Sequence, residues 1–492
     1  MPESHPVPPA NLLFILSDQH NLRGTGCYGG DGITPNLDRL AAAGTRFTSA
    51  YTTCPLCVPA RASLATGRYV HDIGYWDNAH GYDGRVPTWG HHLARRGLTC
   101  DSIGKLHFRG GDDNGFGREI EPLHVVDGEG DLLGCLREDS PVRNARAGVL
   151  AAGPGESSYL AYDVRNADNA VHWLHAHAGD RRPWVLFVGF VCPHPPYVGP
   201  PGHFERYDPG AIRPMPQEEH AAWPAHPAID GVRDVLNLNE PLSAEQLSIY
   251  RRAYLAACTH LDEQIGRVLA ALDACGVRDR TRVLYTSDHG ESMGARGLTG
   301  KLTMYDESAA VPLIMAGPDV PAGRTVATPV SLVDCFPTIL SAAGCPLADE
   351  LLPDEPLPGE DLLALAAAGD RDRTAFAEHH AVGFRRAVYL LRDRRFKYVH
   401  YVGMRPQLFD LAADPDEVFD LAGRPEHAET VRAFERRLRA IVDPEEADAR
   451  AHADQRRKVS DAGGREAVIA RGIFANSPTP DEAPTWERPV GR

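Results

Sequence analysis

Three things are scarce in this 492-residue chain, and each scarcity excludes something. Basic residues come first: 51 Lys and Arg against 67 Asp and Glu leave a formal net charge of −16, with no Lys or Arg run to relieve it. That balance excludes a nucleic-acid partner, although a cationic pocket can still sit inside an acidic protein. Long apolar runs are the second. The early run Leu12–Leu16 is too short for a membrane span or for the hydrophobic region of a signal peptide. The preceding Met1–Ala10 is polar and proline-rich and has no basic lead-in, so a cytoplasmic protein with no membrane partner is expected. Third, the ten cysteines follow no framework spacing, which reads as reduced thiols rather than a disulfide scaffold. There is no internal repeat.

What is present is ordinary for a globular chain, with 43% hydrophobic and 24% charged residues. The length suits two or three domains, or one large α/β domain with an appendix. Strand and helix signals alternate from the start, which defines the fold class as α/β. Asn11–Leu16 reads as a buried strand ending on Ser17-Asp18-Gln19. Thr34-Pro35 opens a helix that runs to Gly44, and Thr88–Arg96 is a helix stopped by Gly97 and followed by a strand into Gly104-Lys105. Pro183–Val191 is an apolar strand leading to Pro193-His194, and Ser248–Cys275 is the longest helical stripe. Arg282–Thr286 is a strand that ends on Ser287-Asp288-His289, Val311–Ala316 another, and Ser331–Ala343 a helix. Three strands thus deliver polar residues at their carboxyl ends, the edge where open α/β sheets bind ligands.

Composition shifts at the acidic, proline-rich Asp349–Pro358 and again at Gly369–Thr374. Residues 1–370 are therefore assigned to the large domain and 371–447 to a smaller α+β domain, with a hairpin about Arg392–Arg395 and a helix near Glu429–Ile441. Residues 448–492 are charged and then rich in Pro, Thr and Glu, either an arm that packs on a neighbouring subunit or a loose tail. On the first of these a homo-oligomer is expected.

The chemistry concentrates in Cys54-Pro55-Leu56-Cys57-Val58-Pro59-Ala60-Arg61-Ala62-Ser63, which continues to Gly67-Arg68. A residue at a helix N-terminus faces free backbone N–H groups and the positive end of the dipole, a setting for an anion and a nucleophile. Arg61 follows one turn on, along the same face. Cys54-x-x-Cys57 alone would read as half of a zinc or redox site, but no second pair with ligand spacing follows. Asp18-Gln19 and Asp288-His289 stand at the ends of two strands and bring carboxylate and amide oxygens and an imidazole, donors for a hard or borderline divalent cation.

This run resembles the sulfatase signature Cys-x-Pro-x-Arg, and the resemblance extends over roughly residues 10–425. Gly104-Lys105-Leu106-His107, Pro193-His194 and Gly300-Lys301 are similar to further elements of that family, as is Asn78 in Tyr75-Trp76-Asp77-Asn78. So are Met304-Tyr305-Asp306-Glu307-Ser308 and Leu408-Phe409-Asp410-Leu411. The pairs Asp-Gln and Asp-His depart from the commoner Asp-Asp and Asp-Asn and resemble the branch of choline sulfatases and phosphonate monoester hydrolases. The resemblance implies an alkaline-phosphatase-like fold, a large mixed β-sheet sandwiched by helices with a smaller C-terminal domain.

It further implies that Cys57 is oxidised to formylglycine by a separate formylglycine-generating enzyme. The hydrated aldehyde then attacks sulfur in line while Arg61, Lys105, Lys301 and the metal hold the equatorial oxygens. His194 with Lys301 serves the leaving alkoxide, His107 is the base that releases sulfate, and Asn78 binds near the same oxygens. The implied metal site is Asp18, Gln19, Asp288 and His289 around one divalent ion, calcium ahead of magnesium or manganese. The expected reaction is hydrolysis of a small-molecule sulfate ester to an alcohol and sulfate. Hydrolysis of a phosphonate monoester or phosphodiester on the same scaffold is the alternative, and Lys105 with His107 favours the sulfate. A choline ester would need an aromatic or anionic cage. Gly134–Ala147 has no aromatic residue, and Val382 and Gly383 follow Glu378-His379-His380 where a second acid would help, so the alcohol is left open.

Overall fold

The computed structural model describes residues 9–138, 140–345, 357–474 and 476–489. The stretch Asp349–Pro358 lies outside the described residues apart from its last two.

The apolar run near the start becomes the central strand β1 (Asn11–Asp18), buried along its whole length. Its alternate side chains feed two cores. Leu12, Phe14 and Leu16 point into one cluster, and Leu13 and Ile15 into the other. A strand buried on both faces has no polar alternation, which is why it reads as a continuous apolar run. The other strands of its sheet are β2 (Gly44–Phe47), β3 (Thr99–Lys105), β4 (Glu119–Leu123), β5 (Trp184–Pro193), β6 (Thr281–Ser287), β7 (Leu313–Ala316) and β8 (Arg324–Val326). Their order is β8-β2-β7-β6-β1-β5-β3-β4. Strand β7 runs antiparallel to both neighbours, β6 and β2, so the sheet is mixed. The remaining pairs are parallel.

Helices cover both faces. On one lie α1 (Pro35–Ala42), α3 (Ser158–His177) and the 31-residue α4 (Ala244–Ala274), which contribute Leu37, Trp173, Leu261 and Ile265 to the core. On the other lie α2 (Cys57–Thr66) and α5 (Cys335–Ala342), with Leu64, Ile339 and Leu340. The smaller unit is an antiparallel meander of β9 (Ala375–His379), β10 (Val388–Arg392), β11 (Phe396–Tyr401) and β12 (Gln407–Asp410), backed by α6 (Ala428–Ile441). The expected hairpin is its central pair. Among the described residues no helix is long and apolar enough to cross a membrane.

Among the described residues, two long helices are not visible in the sequence pattern. Helix α3 hides because it buries Asp163 and Asn166 among its apolar residues. The start of residues 448–492, expected to be an arm or a tail, lies in α7 (Pro444–Asp461). Its buried face is Ala447, Asp448, Ala451, His452, Gln455 and Val459, too polar for a hydrophobic stripe. This helix packs on its own chain: Gln455 Nε2 donates to Asp77 Oδ2 at 2.9 Å and to the His380 carbonyl at 2.7 Å.

Candidate active site

Four adjacent parallel strands, β6, β1, β5 and β3, end side by side and present Asp288-His289, Asp18-Gln19, His194 and Lys105 with His107. The four chain segments are far apart in sequence, and the parallel register brings their carboxyl ends to one edge. Helix α3 holds the end of β5, where both Asp163 oxygens accept the Val191 and Cys192 N–H groups at 2.9 Å.

Helix α2 approaches this edge with Cys57 as its first residue. The Cys57 sulfur lies 3.2 Å from His289 Nε2, 3.9 Å from Asp18 Oδ1 and 2.9 Å from Lys301 Nζ. Only 1% of Cys57 is exposed. The helix stops at Gly67 (φ 68°), whose N–H donates to the Ser63 carbonyl. A Cβ at Gly67 would meet Phe336 at 2.7 Å, so both the left-handed turn and the packing require glycine.

Arg61, one turn on, bridges the two strand-end acids. Its Nε donates to Asp288 Oδ2 at 2.8 Å, its Nη2 to Asp18 Oδ2 at 3.1 Å and its Nη1 to the Lys105 carbonyl at 2.8 Å. Lys105 Nζ also lies 2.7 Å from Asp18 Oδ2. Burial opposes ionisation of Asp18, but Lys105, Arg61 and Lys301 outweigh it and hold the carboxyl well below the usual range. Asp288 goes the other way: burial and the neighbouring Asp18 push it up to about 6, against His289 and Arg61. Burial, with Lys301, lowers His289 to about 4 and leaves its ring neutral. Burial also disfavours the charged form of Lys301, yet Cys57, Asp18 and Asp288 prevail and raise its pKa.

Ligand atoms of Asp18, Asp288, His289 and Cys57 lie within 4.8 Å of one another, all buried. Two carboxylates and a neutral imidazole fit a divalent cation; the oxygens suit calcium or magnesium, and the imidazole widens the choice to manganese. Gln19 stands at the rim, where its Oε1 accepts from Lys301 Nζ at 2.8 Å. Its Nε2 donates to Glu291. Three non-glycine residues in or beside the site have left-handed backbones: Gln19 (φ 68°), His107 (φ 61°) and Leu302 (φ 94°). Such strain persists where the surroundings over-determine it, commonly at functional sites.

Asn78 meets the helix from outside, with its Oδ1 accepting the Val58 N–H at 3.1 Å. His194 Nδ1 donates to the Pro195 carbonyl at 2.9 Å. Burial and Lys301 keep His194 well below the usual histidine range, so the neutral ring turns a bare Nε2 away from that carbonyl. Burial followed by Lys105 and Arg61 does the same to His107. Glu378 is not in this cluster. It sits behind Thr53, bound by His71 at 2.9 Å and His380 at 2.8 Å.

Sequence reasoning missed three contributors. Glu291 is fully buried and accepts from Tyr197, Tyr250, Gly300 and Met293 besides Gln19. Its place three residues after Asp288 was the available signal. Tyr159 packs against the His194 ring, with 5.9 Å between centroids. Ser477 lies 3.1 Å from His107 Nε2, and nothing in the sequence ties the two together.

The sulfatase family model matches residues 10–345. A second model, N-sulphoglucosamine sulphohydrolase C-terminal, matches 294–443. The chain is 32% identical over 485 residues to a choline-sulfatase of Rhizobium meliloti, covering 91% of this chain and 90% of that protein. It is 30% identical over 472 residues to arylsulfatase K of Bos taurus, covering 90% and 83%. A solved phosphonate monoester hydrolase of Agrobacterium radiobacter superposes with a TM-score of 0.69 at 26% identity, covering 88% of this chain and 95% of that one. The chain belongs to the sulfatase family, with the alkaline-phosphatase-like fold and in the branch expected from its Asp-Gln and Asp-His pairs. It is a sulfuric ester hydrolase, and its family generally uses a metal ion and a formylglycine.

Proposed function

We propose that this enzyme cleaves a small-molecule sulfate monoester at the N-terminus of α2, after a separate enzyme has converted Cys57 to formylglycine. Asp18, Asp288, His289 and the Gln19 amide would hold one divalent ion. When bound, these groups supply a hydrated aldehyde as nucleophile and a Lewis acid that favours its ionised form. The observation that carries the reading is the placement of Cys57, which meets the metal-site imidazole of His289 and the ammonium of Lys301 at once.

The chain's own residues divide the remaining work. Arg61, fixed by three hydrogen bonds, offers a rigid guanidinium, and Lys105 and Lys301 add two further cations for the sulfuryl oxygens. Lys301 is the proton donor for the leaving alkoxide, with Asp18 and Asp288 favouring its cationic form once the Cys57 thiol is gone. The neutral His194, with Nδ1–H committed to Pro195, leaves Nε2 as the ring's acceptor for a proton passing to the leaving group. His107 is the base for regeneration. Burial of the whole cluster excludes water, which strengthens each of these interactions.

Phosphonate monoester hydrolysis is the second reading, supported by the likeness to the Agrobacterium radiobacter enzyme. Both are tested by comparing turnover of 4-nitrophenyl sulfate and of an aryl phosphonate monoester. The chain is coexpressed with a formylglycine-generating enzyme, and Cys57→Ala is the control. A larger kcat/KM for the sulfate, abolished by Cys57→Ala, is expected. Preference for the phosphonate moves the chain to the second reading, and equal rates in variant and parent remove Cys57 as nucleophile.

A further inference from the structure

The C-terminal segment reaches the catalytic edge. Beyond α7, Arg471 pairs with Asp127 at 3.2 Å and with Glu129, tying the chain to the large domain. The chain then delivers Ser477, and Tyr159 Oη donates to the Ser477 carbonyl at 2.6 Å. A turn follows in which Thr479 donates its N–H and hydroxyl to Glu482 at 3.1 and 3.0 Å. Arg165 holds Asp481 at 2.9 Å. Ser477 is 6% exposed and Thr479 3%, so the segment is packed. These anchors place the Ser477 hydroxyl 3.1 Å from His107 Nε2.

Which nitrogen of His107 carries the proton decides whether the ring can act as a base. Nδ1 is buried and has no hydrogen-bond partner among the described residues. The ring lies in the field of Lys105 and Arg61. An N–H on the partnerless Nδ1 would be an orphaned buried donor, whereas an N–H on Nε2 has the Ser477 oxygen to receive it. The proton then belongs on Nε2, where Ser477 is the acceptor. The backbone of His107 is fixed independently, its N–H donating to the Leu123 carbonyl at 2.8 Å.

We infer that Ser477 is a positioning residue for His107, accepting the Nε2 proton and so fixing the tautomer whose Nδ1 lone pair serves the reaction. The hydrogen bond stands on the geometry alone, and its catalytic value rests on the function proposed above. An interaction of this kind, from the partner of a functional imidazole, is worth roughly tenfold in rate or more.

The test uses full-length protein labelled with imidazole-15N histidine, with Cys57 left as the thiol. Two-bond nitrogen–proton correlations report the tautomer, and His107→Gln identifies the signal. The parent should show a single Nε2–H form. Ser477→Ala should give a mixed or Nδ1–H form, and Ser477→Thr should restore the parent pattern. In the converted enzyme, Ser477→Ala should lower kcat about tenfold with KM changed less than about twofold, and Ser477→Thr should recover most of it. An Nδ1–H parent, or a Ser477→Ala protein with unaltered tautomer and kcat, overturns the inference. A tautomer that responds as expected in a protein that hydrolyses no sulfate ester supports the hydrogen bond and overturns the proposed function instead.

Discussion

Asn78 accepts the backbone N–H of Val58 at 3.1 Å and so caps, from a separate loop, the helix that begins with Cys57. The helix's own N-cap residue is Leu56, which has no side-chain oxygen to offer. Asn78→Ala should therefore lower the unfolding free energy by about 1 kcal/mol, while Asn78→Asp, which keeps the acceptor, should cost less. Urea unfolding of metal-free protein measures both. Equal losses would show that the cap contributes nothing.

Arg61 separates two buried carboxylates that would otherwise face each other. Arg61→Met should destabilise by about 3–5 kcal/mol, the range for breaking a buried ion pair. Saturating calcium should raise Tm more in this variant than in the parent, because the ion replaces the missing charge. A calcium shift no larger than the parent's would place the cation away from Asp18 and Asp288.

Metal affinity should depend on pH through Asp288, which burial and Asp18 raise to about 6. The ion needs the carboxylate, so affinity is full above that pH and falls by about tenfold per unit below it. For stability the sign is opposite. A raised folded-state pKa contributes stability below the unfolded value, lost as pH rises through about 6, and bound metal removes that loss. Calorimetric calcium titrations between about pH 5 and pH 8 check the first statement. A flat affinity would contradict it.

Glu291 receives only donors, so Glu291→Gln puts an NH2 group where acceptors are needed. The expected cost is about 1–3 kcal/mol from groups left unpaired. Calcium binding should also weaken, because Gln19 loses the partner that fixes its amide. Parent-like calcium affinity in a folded variant would show that Gln19 is held by Lys301 alone.

The strand-end cluster was legible where residue chemistry and chain direction coincide. Apolar strands ending on Asp18, His194 and Asp288 announce a sheet edge, and Cys57 with Arg61 announces a helix start aimed at it. The signal failed where polarity is spent inside the protein. Helix α3 buries Asp163 to hold β5, and α7 packs through Ala451 and Gln455, so neither shows an apolar stripe. Ser477 and His107 are 370 positions apart. Their contact depends on where the chain is carried after α7, which no local pattern encodes.

On the function proposed above, the near-complete burial of Cys57 sets an order of events in the life of the chain. Residues from an early strand, Asp18, and from a late segment, Ser477, close around the same cluster. During synthesis the cysteine is made long before Ser477, which reaches the His107 ring of the same cluster. An oxidising enzyme that needs to grasp the Cys57–Arg61 stretch as an extended peptide has that interval in which to work. A copy that folds with its thiol intact has closed the window on itself, and the yield of active protein becomes a contest between modification and folding.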